Sequence, residues 1–398
     1  MRASRPEQAP PAAPPLRIGV VGLGMAGALM VSVIRDHARA VLAGAAEPHE
    51  SLRQRFAADN EAPVFADIES LLRRDDVDAV YIATPHQFHR DHVVLAAEHG
   101  KHIVVEKPMA LSLADCDAMI AAAERHKVTL IVGHTHSFDP SVRVMRELIA
   151  SGEYGKLMML SGANYTDFLY RPRRPEELDT AKGGGILFNQ VPHQIDTVRY
   201  LTRSRLRSLR AATGILDPRR PTEGNCSVFL DFEDGCFASL TYSGYDRFDT
   251  DEWHGWVGEG GYPRKAAHGA TTRSWENFKN PEEELAARVE RFGYGGSAAP
   301  ASRIPVHQPH FGVLIASCEK ADLRQSPDGV LVYSRDGVKE IPVPMRPGRP
   351  GRSDVLDELC DAVQCGVAPA HDGAFARGTV EASLAILKSA QERREVIL

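Results

Sequence analysis

Leu16-Arg17-Ile18-Gly19-Val20-Val21-Gly22-Leu23-Gly24-Met25-Ala26-Gly27 decides the fold. An apolar strand pattern runs straight into three glycines, and behind them Met30, Val33 and Ile34 recur at helical spacing. A G-x-G-x-x-G spacing carries meaning only in this context, with a strand before it and a helix after it. Gly22 permits the tight turn, Gly24 lets backbone approach a pyrophosphate, and Gly27 lets the helix pack closely. The amides of Met25 and Ala26 at the helix start favour negative charge. These residues predict a dinucleotide-binding unit.

Moving outward, the strand predicted at 40–46 ends in Glu47, twenty residues beyond Gly27. A carboxylate at that point accepts hydrogen bonds from ribose hydroxyls and repels a 2′-phosphate, so the expected cofactor is NAD. Helix and strand then alternate. A helix is expected over 67–74, followed by a strand over 78–83 that halts at Thr84-Pro85-His86-Gln87-Phe88-His89. After a helix reaching 99, the buried run His102-Ile103-Val104-Val105 stops at Glu106-Lys107-Pro108; a helix over 113–125 and a strand over 128–132 follow. In such sheets ligands gather beyond the carboxyl ends of the strands. Thr84, Pro85, His86, His89, Glu106 and Pro108 are therefore expected to wall the cofactor crevice. Lys107 stands where it can hold an anion or exchange a proton.

After Gly133 the rhythm changes. A helix is expected over 140–149, then strands at 156–165, 206–213, 226–232, 236–242, 311–317 and 330–333, with no helix regularly between them. That order predicts a large, open, mostly antiparallel sheet in an α+β domain. The expected organisation is a disordered Pro/Ala-rich leader at 1–15, an α/β Rossmann domain at 16–133, and a substrate-binding and oligomerisation domain at 134–398. Helices at 354–363 and 379–393 are free to pack back on the Rossmann domain. The polar, glycine-rich segment 246–309 reads as an excursion over the active site or an oligomer contact.

Composition excludes several classes. Hydrophobic content of 43% and charged content of 25% are ordinary globular values. A net charge of −6 gives no basic footprint for nucleic acid or an anionic membrane. No run approaches the roughly 20 apolar residues of a membrane span. Cys116, Cys226, Cys236, Cys318, Cys360 and Cys365 are scattered, with no C-x-x-C pair or zinc spacing, so no metal is expected and reduced thiols in the cytoplasm are the simple reading.

A second chemical stretch is Gly183-Gly184-Gly185-Ile186-Leu187-Phe188-Asn189-Gln190-Val191-Pro192-His193-Gln194-Ile195-Asp196. Read as one helix, it puts Asn189, His193 and Asp196 at i, i+4 and i+7 on one face. Buried polar groups on that face need partners, which a crevice between domains supplies. A third stretch, Tyr165 to Arg174, sets Arg171, Arg173 and Arg174 beside Tyr165, Phe168 and Tyr170. Guanidiniums bind carboxylates through paired hydrogen bonds, so this group suits a planar ring with two carboxylates. It equally suits a proline-braced loop of salt bridges.

Gly22–Gly27, Thr84-Pro85, Glu106-Lys107-Pro108 and the 183–196 stretch together resemble the Gfo/Idh/MocA (glucose-fructose oxidoreductase / inositol dehydrogenase) family. The resemblance implies a Rossmann domain followed by an open-sheet domain used in dimers or tetramers, a catalytic lysine at Lys107 and a helix histidine at His193. One departure is Asn189, where the family commonly has Asp; an amide cannot raise a histidine's basicity, so proton acceptance falls on Lys107. Val191 also replaces a common glycine. Residues 164–179 and Gly133-His134-Thr135-His136-Ser137-Phe138-Asp139 further resemble the phthalate 4,5-cis-dihydrodiol dehydrogenase branch. This implies NAD-dependent oxidation of a ring cis-dihydrodiol dicarboxylate, with Lys107, His193 and Asn189 at the reacting hydroxyl. His134, His136, Tyr165, Arg171, Arg173 and Arg174 would then bind substrate. The alternatives are a sugar, inositol or other secondary-alcohol dehydrogenase, and a non-catalytic NAD-binding regulator.

Overall fold

The computed structural model describes residues 13–296, 305–346 and 348–398, so the expected leader falls mostly outside the described residues. The first unit runs β1 (Leu16–Val21), α1 (Met25–Asp36), β2 (Ala40–Ala46), α2 (Glu50–Asp59), β3 (Val64–Phe65), α3 (Ile68–Leu72), β4 (Ala79–Ile82), α4 (His89–Glu98), β5 (His102–Val105), α5 (Leu113–His126) and β6 (Leu130–Val132). Its six described strands are parallel in the order β3-β2-β1-β4-β5-β6. The order reverses between β1 and β4, and that switch point opens the crevice at the carboxyl ends. Alternate strand residues feed two cores. Val21, Ile82 and Val105 meet α4 and α5, while Val20, Tyr81 and Val104 meet α1.

The rest runs α6 (Pro140–Ser151), β7 (Leu157–Tyr165), α7 (Gly185–Asn189), α8 (Val191–Thr202), β8 (Leu206–Gly214), β9 (Asn225–Phe232) and β10 (Phe237–Ser243). Next come α9 (Ala270–Trp275), α10 (Pro281–Phe292), β11 (Val313–Cys318), β12 (Ala321–Ser326), β13 (Gly329–Ser334), β14 (Gly337–Pro342), α11 (Arg352–Cys365), α12 (Gly373–Glu392) and β15 (Val396–Ile397). Nine described strands form a second sheet, β14-β13-β12-β11-β7-β10-β9-β8-β15. Only the β7–β10 pairing in it is parallel. The sheet is thus mixed and mostly antiparallel, as the strand-after-strand pattern predicts.

Cys226, Val228, Leu230 and Phe232 alternate inward along β9 and pack with Ile195 and Val198 of α8 and Ile386 of α12 in one core. The last helices tie the two sheets together. Val355, Leu356 and Leu359 of α11 complete the core on the α1 side of the Rossmann sheet. Ion pairs Arg39–Asp361 and Arg377–Asp117, each at 2.6 Å, anchor α11 and α12 to the first unit. No described helix is long and apolar enough to cross a membrane.

The predicted single helix over 185–196 is corrected. Gln190 leaves helical geometry (φ −123°, ψ −52°), and α8 restarts with Pro192 in its first turn. Proline has no N–H to continue the ladder and is pre-set for a helix start. The strands β12 and β14 and the short α2 lie between elements the sequence makes plain.

Candidate active site

The glycine loop is built as its spacing requires. Gly22 sits at φ +91°, and a Cβ on Gly27 would come 1.9 Å from the Gly22 carbonyl, so no side chain fits there. A Cβ on Gly24 would meet nothing within 4 Å, which leaves open space in front of the loop. The first turn of α1 has no side-chain cap and no acidic residue, so its amides remain for an anion. Glu47 is buried; one oxygen accepts from the Leu23 amide (2.8 Å), and the other from the His49 amide (3.0 Å) and Nδ1 (2.6 Å). A carboxylate offers about four acceptor positions, so Glu47 both ties β2 to the loop and keeps one position for a ribose hydroxyl. This donor and acceptor set fits a dinucleotide.

Lys107 leaves β5 at the switch-point crevice, and its Nζ donates to the Asn189 carbonyl at 2.6 Å. Burial pulls its pKa down to about 8, with Glu106 and Glu259 opposing and Arg352 and Arg173 assisting that shift. Glu106 accepts from the buried Tyr81 hydroxyl and from the Lys107 amide (3.2 Å), and lies 3.6 Å from Arg352 Nη1. Pro108 offers its carbonyl to His89 Nδ1 at 3.0 Å, while His89 Nε2 lies 2.9 Å from the Thr84 carbonyl. His89 is wholly buried. The reading of His89 as a cofactor contact is therefore corrected: both ring nitrogens are spent bracing the Thr84-Pro85 turn against the Lys107-Pro108 turn. Thr84 Oγ1 meets His92 Nδ1 at 3.0 Å. His86 is half-buried near Gly183, its pKa lowered to about 3 by burial and then by His89 and Lys107.

Asn189 also needs correction. Its side-chain amide turns back to the carbonyls of Gly183 (3.1 Å) and Gly185 (2.8 Å). It braces α7 and presents its own backbone oxygen, not its side chain, to Lys107. Asp196 is consumed by the hydroxyls of Thr135 (2.6 Å) and Thr379 (2.9 Å). His193 is buried, and its Nδ1 has no hydrogen-bond partner among the described residues. Burial, then the charges of Lys107 and His136, hold its pKa well below the usual value, so it is a neutral imidazole.

The carboxylate that the sequence lacks at position 189 comes from elsewhere, and it serves another ring. His136 Nδ1 lies 2.7 Å from Asp139 and its Nε2 3.3 Å from Glu259; against burial, these acids raise its pKa to about 9. The His136 ring is 5.0 Å from that of His193, and both stand 4.8 Å from Phe311. His134 Nε2 faces Asp139 Oδ1 at 3.5 Å. His134, His136 and Asp139 have donor atoms within 4.8 Å of one another, close enough to hold a metal ion. Both nitrogens of His136 are already engaged by carboxylates, so the set is better satisfied as an ion-paired network.

The arginine loop is the main correction to the substrate reading. Arg171 pairs with Asp167 at 2.7 Å. Arg173 lies buried over the Phe168 ring at 3.7 Å, donates twice to the Phe168 carbonyl (2.8 and 3.1 Å) and sits 3.5 Å from Glu177. Arg174 lies 3.3 Å from Glu176 and 3.4 Å from Glu177. Acids within a few residues pair each of the three, although Arg174 Nε makes no hydrogen bond among the described residues and the charges of Arg171 and Arg173 still bear on Glu259 and Lys107. Tyr165 belongs to another aromatic group, with its ring 5.7 Å from Phe248.

Three participants escaped the sequence reading. Glu259 comes from the 246–309 excursion, whose first part thus lines the site. Arg352 comes from the start of α11. Tyr242 of β10 donates to Gln190 at 3.1 Å and stacks 6.0 Å from Phe311. Glu259 and Arg352 lie at irregular positions far from the recognisable motifs, where periodicity gives no signal.

Comparison with known proteins agrees with this architecture. Residues 16–134 match the model of the GFO/IDH/MocA oxidoreductase family, NAD-binding Rossmann fold, and residues 142–262 match the GFO/IDH/MocA C-terminal domain. A 1-carboxy-3-chloro-3,4-dihydroxycyclohexa-1,5-diene dehydrogenase from Comamonas testosteroni is 41% identical over 376 residues, covering 94% of each chain. The crystal structure of a protein assigned as a dehydrogenase from Bordetella bronchiseptica RB50 superposes with a TM-score of 0.92 at 47% identity, covering 96% of this chain and 100% of that one. An inositol 2-dehydrogenase from Corynebacterium glutamicum is 32% identical over 200 residues, 49% of this chain and 56% of that protein.

Proposed function

The chain belongs to the GFO/IDH/MocA oxidoreductase family, and from that premise we propose that it oxidises a ring cis-dihydrodiol bearing carboxylate, with phthalate 4,5-cis-dihydrodiol as the leading candidate. The observation that carries the reading is Lys107: an amine at a strand end, lodged on the Asn189 carbonyl beside a neutral His193, with its pKa near 8. The Comamonas relative, a dehydrogenase named for a carboxylated dihydroxycyclohexadiene, supports this substrate class.

Bound NAD⁺ supplies the acceptor for the carbinol hydride. Lys107 in its neutral form takes the hydroxyl proton, and a lysine with pKa near 8 is about one-tenth neutral at pH 7. His193 cannot compete for that proton, because burial first, and then the charges of Lys107 and the ion-paired His136, oppose a charge on it. Its unpartnered Nδ1 orients the hydroxyl. Asp139 and Glu259 keep His136 in place. The hydroxyketone formed tautomerises to a catechol, and aromatisation drives the reaction forward.

The occupied arginines favour one further reading, a neutral polyol substrate, since Arg171, Arg173 and Arg174 no longer make a strongly cationic wall. A spectrophotometric assay of NAD⁺ reduction separates the two. Phthalate 4,5-cis-dihydrodiol is expected to exceed myo-inositol and glucose in kcat/KM by on the order of 10²-fold or more. A preference for inositol or glucose would overturn the dihydrodiol reading.

A further inference from the structure

If the substrate carries a ring carboxylate, the Arg171–Arg174 loop is poorly placed to receive it: Asp167 holds Arg171, the Phe168 carbonyl and Glu177 hold Arg173, and Arg174, although its Nε lacks a hydrogen bond among the described residues, stands between two acids, Glu176 and Glu177. Arg352 is differently situated. Its backbone is pinned against the site: Gly351 sits at φ +79°, and a Cβ there would come 2.6 Å from Asp139 Oδ1 and 2.7 Å from His134 Nε2. From this root the side chain reaches Glu106, the residue before Lys107, at 3.6 Å. Arg352 thus starts from backbone beside the His134–Asp139 pair and carries its guanidinium to Glu106.

Its Nη1 is buried yet makes no hydrogen bond among the described residues, while the side chain as a whole stays 23% exposed. Glu106 is no exclusive partner, since it also accepts from the Lys107 amide and from Tyr81, whose hydroxyl lies beside Arg352 as well. The Arg352 charge bears on Lys107, His134 and His193 together, which sets it among the groups around the proposed hydroxyl site. A buried, unsatisfied N–H is unfavourable, and the planar fork of arginine matches the two oxygens of a carboxylate.

We propose that Arg352 is the specificity-determining residue that receives the ring carboxylate of the substrate, an assignment that rests on the dihydrodiol reading. Lys107 takes the hydroxyl proton and Arg352 fixes the opposite, anionic end of the ring. A neutral polyol would leave Nη1 unsatisfied and is disfavoured on that ground.

The test is a ratio. For the wild type and Arg352→Gln, kcat/KM is measured for the carboxylated dihydrodiol and for benzene cis-dihydrodiol, which undergoes the same oxidation without a carboxylate. The preference for the carboxylated diol is expected to collapse by on the order of 10²-fold in Arg352→Gln and to recover partly in Arg352→Lys. Equal losses on both diols, or an unchanged preference, would overturn the assignment. Benzoate inhibition of the wild type gives a readout that does not depend on a variant folding: benzoate is expected to compete with the diol, and benzyl alcohol is not. Absence of competition by benzoate overturns the assignment. NADH affinity is measured alongside by fluorescence, and a large loss in Arg352→Gln would make Arg352 a cofactor contact instead. Failure of the wild type to oxidise either diol overturns the dihydrodiol reading itself, and is seen before any variant is compared.

Discussion

The loop from Arg171 to Arg174 and the crevice around Lys107 are both rich in cations, and they use them in opposite ways. In the loop the acids are local. Asp167, Glu176 and Glu177 lie within four residues of the arginines they neutralise, and Glu177 alone meets Arg173, Arg174 and, at 2.8 Å, Arg288. In the crevice the acids come from distant chain and are shared. Glu106 divides itself between Tyr81 and Arg352, and Glu259 between His136 and the charge of Arg171. Lys107 is left with one carbonyl, and Arg352 Nη1 and His193 Nδ1 are left without hydrogen bonds. Saturated charge builds structure, and unsaturated charge remains for chemistry.

The sharpest way to break this contrast is at Lys107. Lys107→Met is expected to lower kcat for the diol by on the order of 10³-fold or more, with NADH affinity within about threefold of wild type. The readouts are steady-state kinetics and fluorescence titration. Retention of even a tenth of the wild-type rate would remove Lys107 as the proton acceptor.

The loop makes the reverse prediction. Arg173→Ala removes a buried guanidinium from over Phe168 and takes one of three cationic partners from Glu177, so unfolding in urea is expected to show a loss of about 2–3 kcal/mol. KM for the diol should change less than about twofold. A large rise in KM with undiminished stability would show that the loop binds substrate after all and would erase the distinction.

Much of this was legible in the chain. Gly22 and Gly27 are dictated by backbone geometry and contacts that other residues do not tolerate, Gly24 keeps open space before the loop, and the run ending at Glu106 and Lys107 shows the pattern of a buried parallel strand. The helix break at Gln190 was also readable, since Pro192 cannot continue a helix from residue 188. The pairing states were not. Whether an arginine is free depends on acids that the fold brings near, and those of the crevice, Glu106, Asp139 and Glu259, come from three separate stretches in no fixed spacing. For the loop the acids stood in plain sight beside the arginines, and counting them would have favoured the salt-bridged reading.

A smaller effect should appear on titration. Lys107 accepts a proton only as the neutral amine, which exists above its pKa. The kcat/KM for diol oxidation is therefore expected to climb about tenfold per pH unit below pH 8 and to level off above it. His193, held neutral throughout, contributes no second limb in this range. A profile flat from pH 6 to 9 would mean that the crevice does not hold its lysine as an unsaturated, easily discharged cation.

The smallest expected effect lies where the two regions adjoin. Asn189→Asp restores the residue type the family commonly has four positions before His193, and a sequence argument would expect a more basic histidine and a faster enzyme. The geometry predicts otherwise. The Asn189 amide donates to the carbonyls of Gly183 and Gly185, and a carboxylate placed there would face two oxygens with nothing to donate. The substitution is expected to destabilise the fold by about 1–3 kcal/mol and to leave the pH–rate midpoint near that of Lys107. The urea midpoint measures the first and the pH profile the second. Stability unchanged, with a new limb from a more basic His193, would mean that the side chain at 189 faces the crevice, and that Lys107 rests on a support the substrate can reshape.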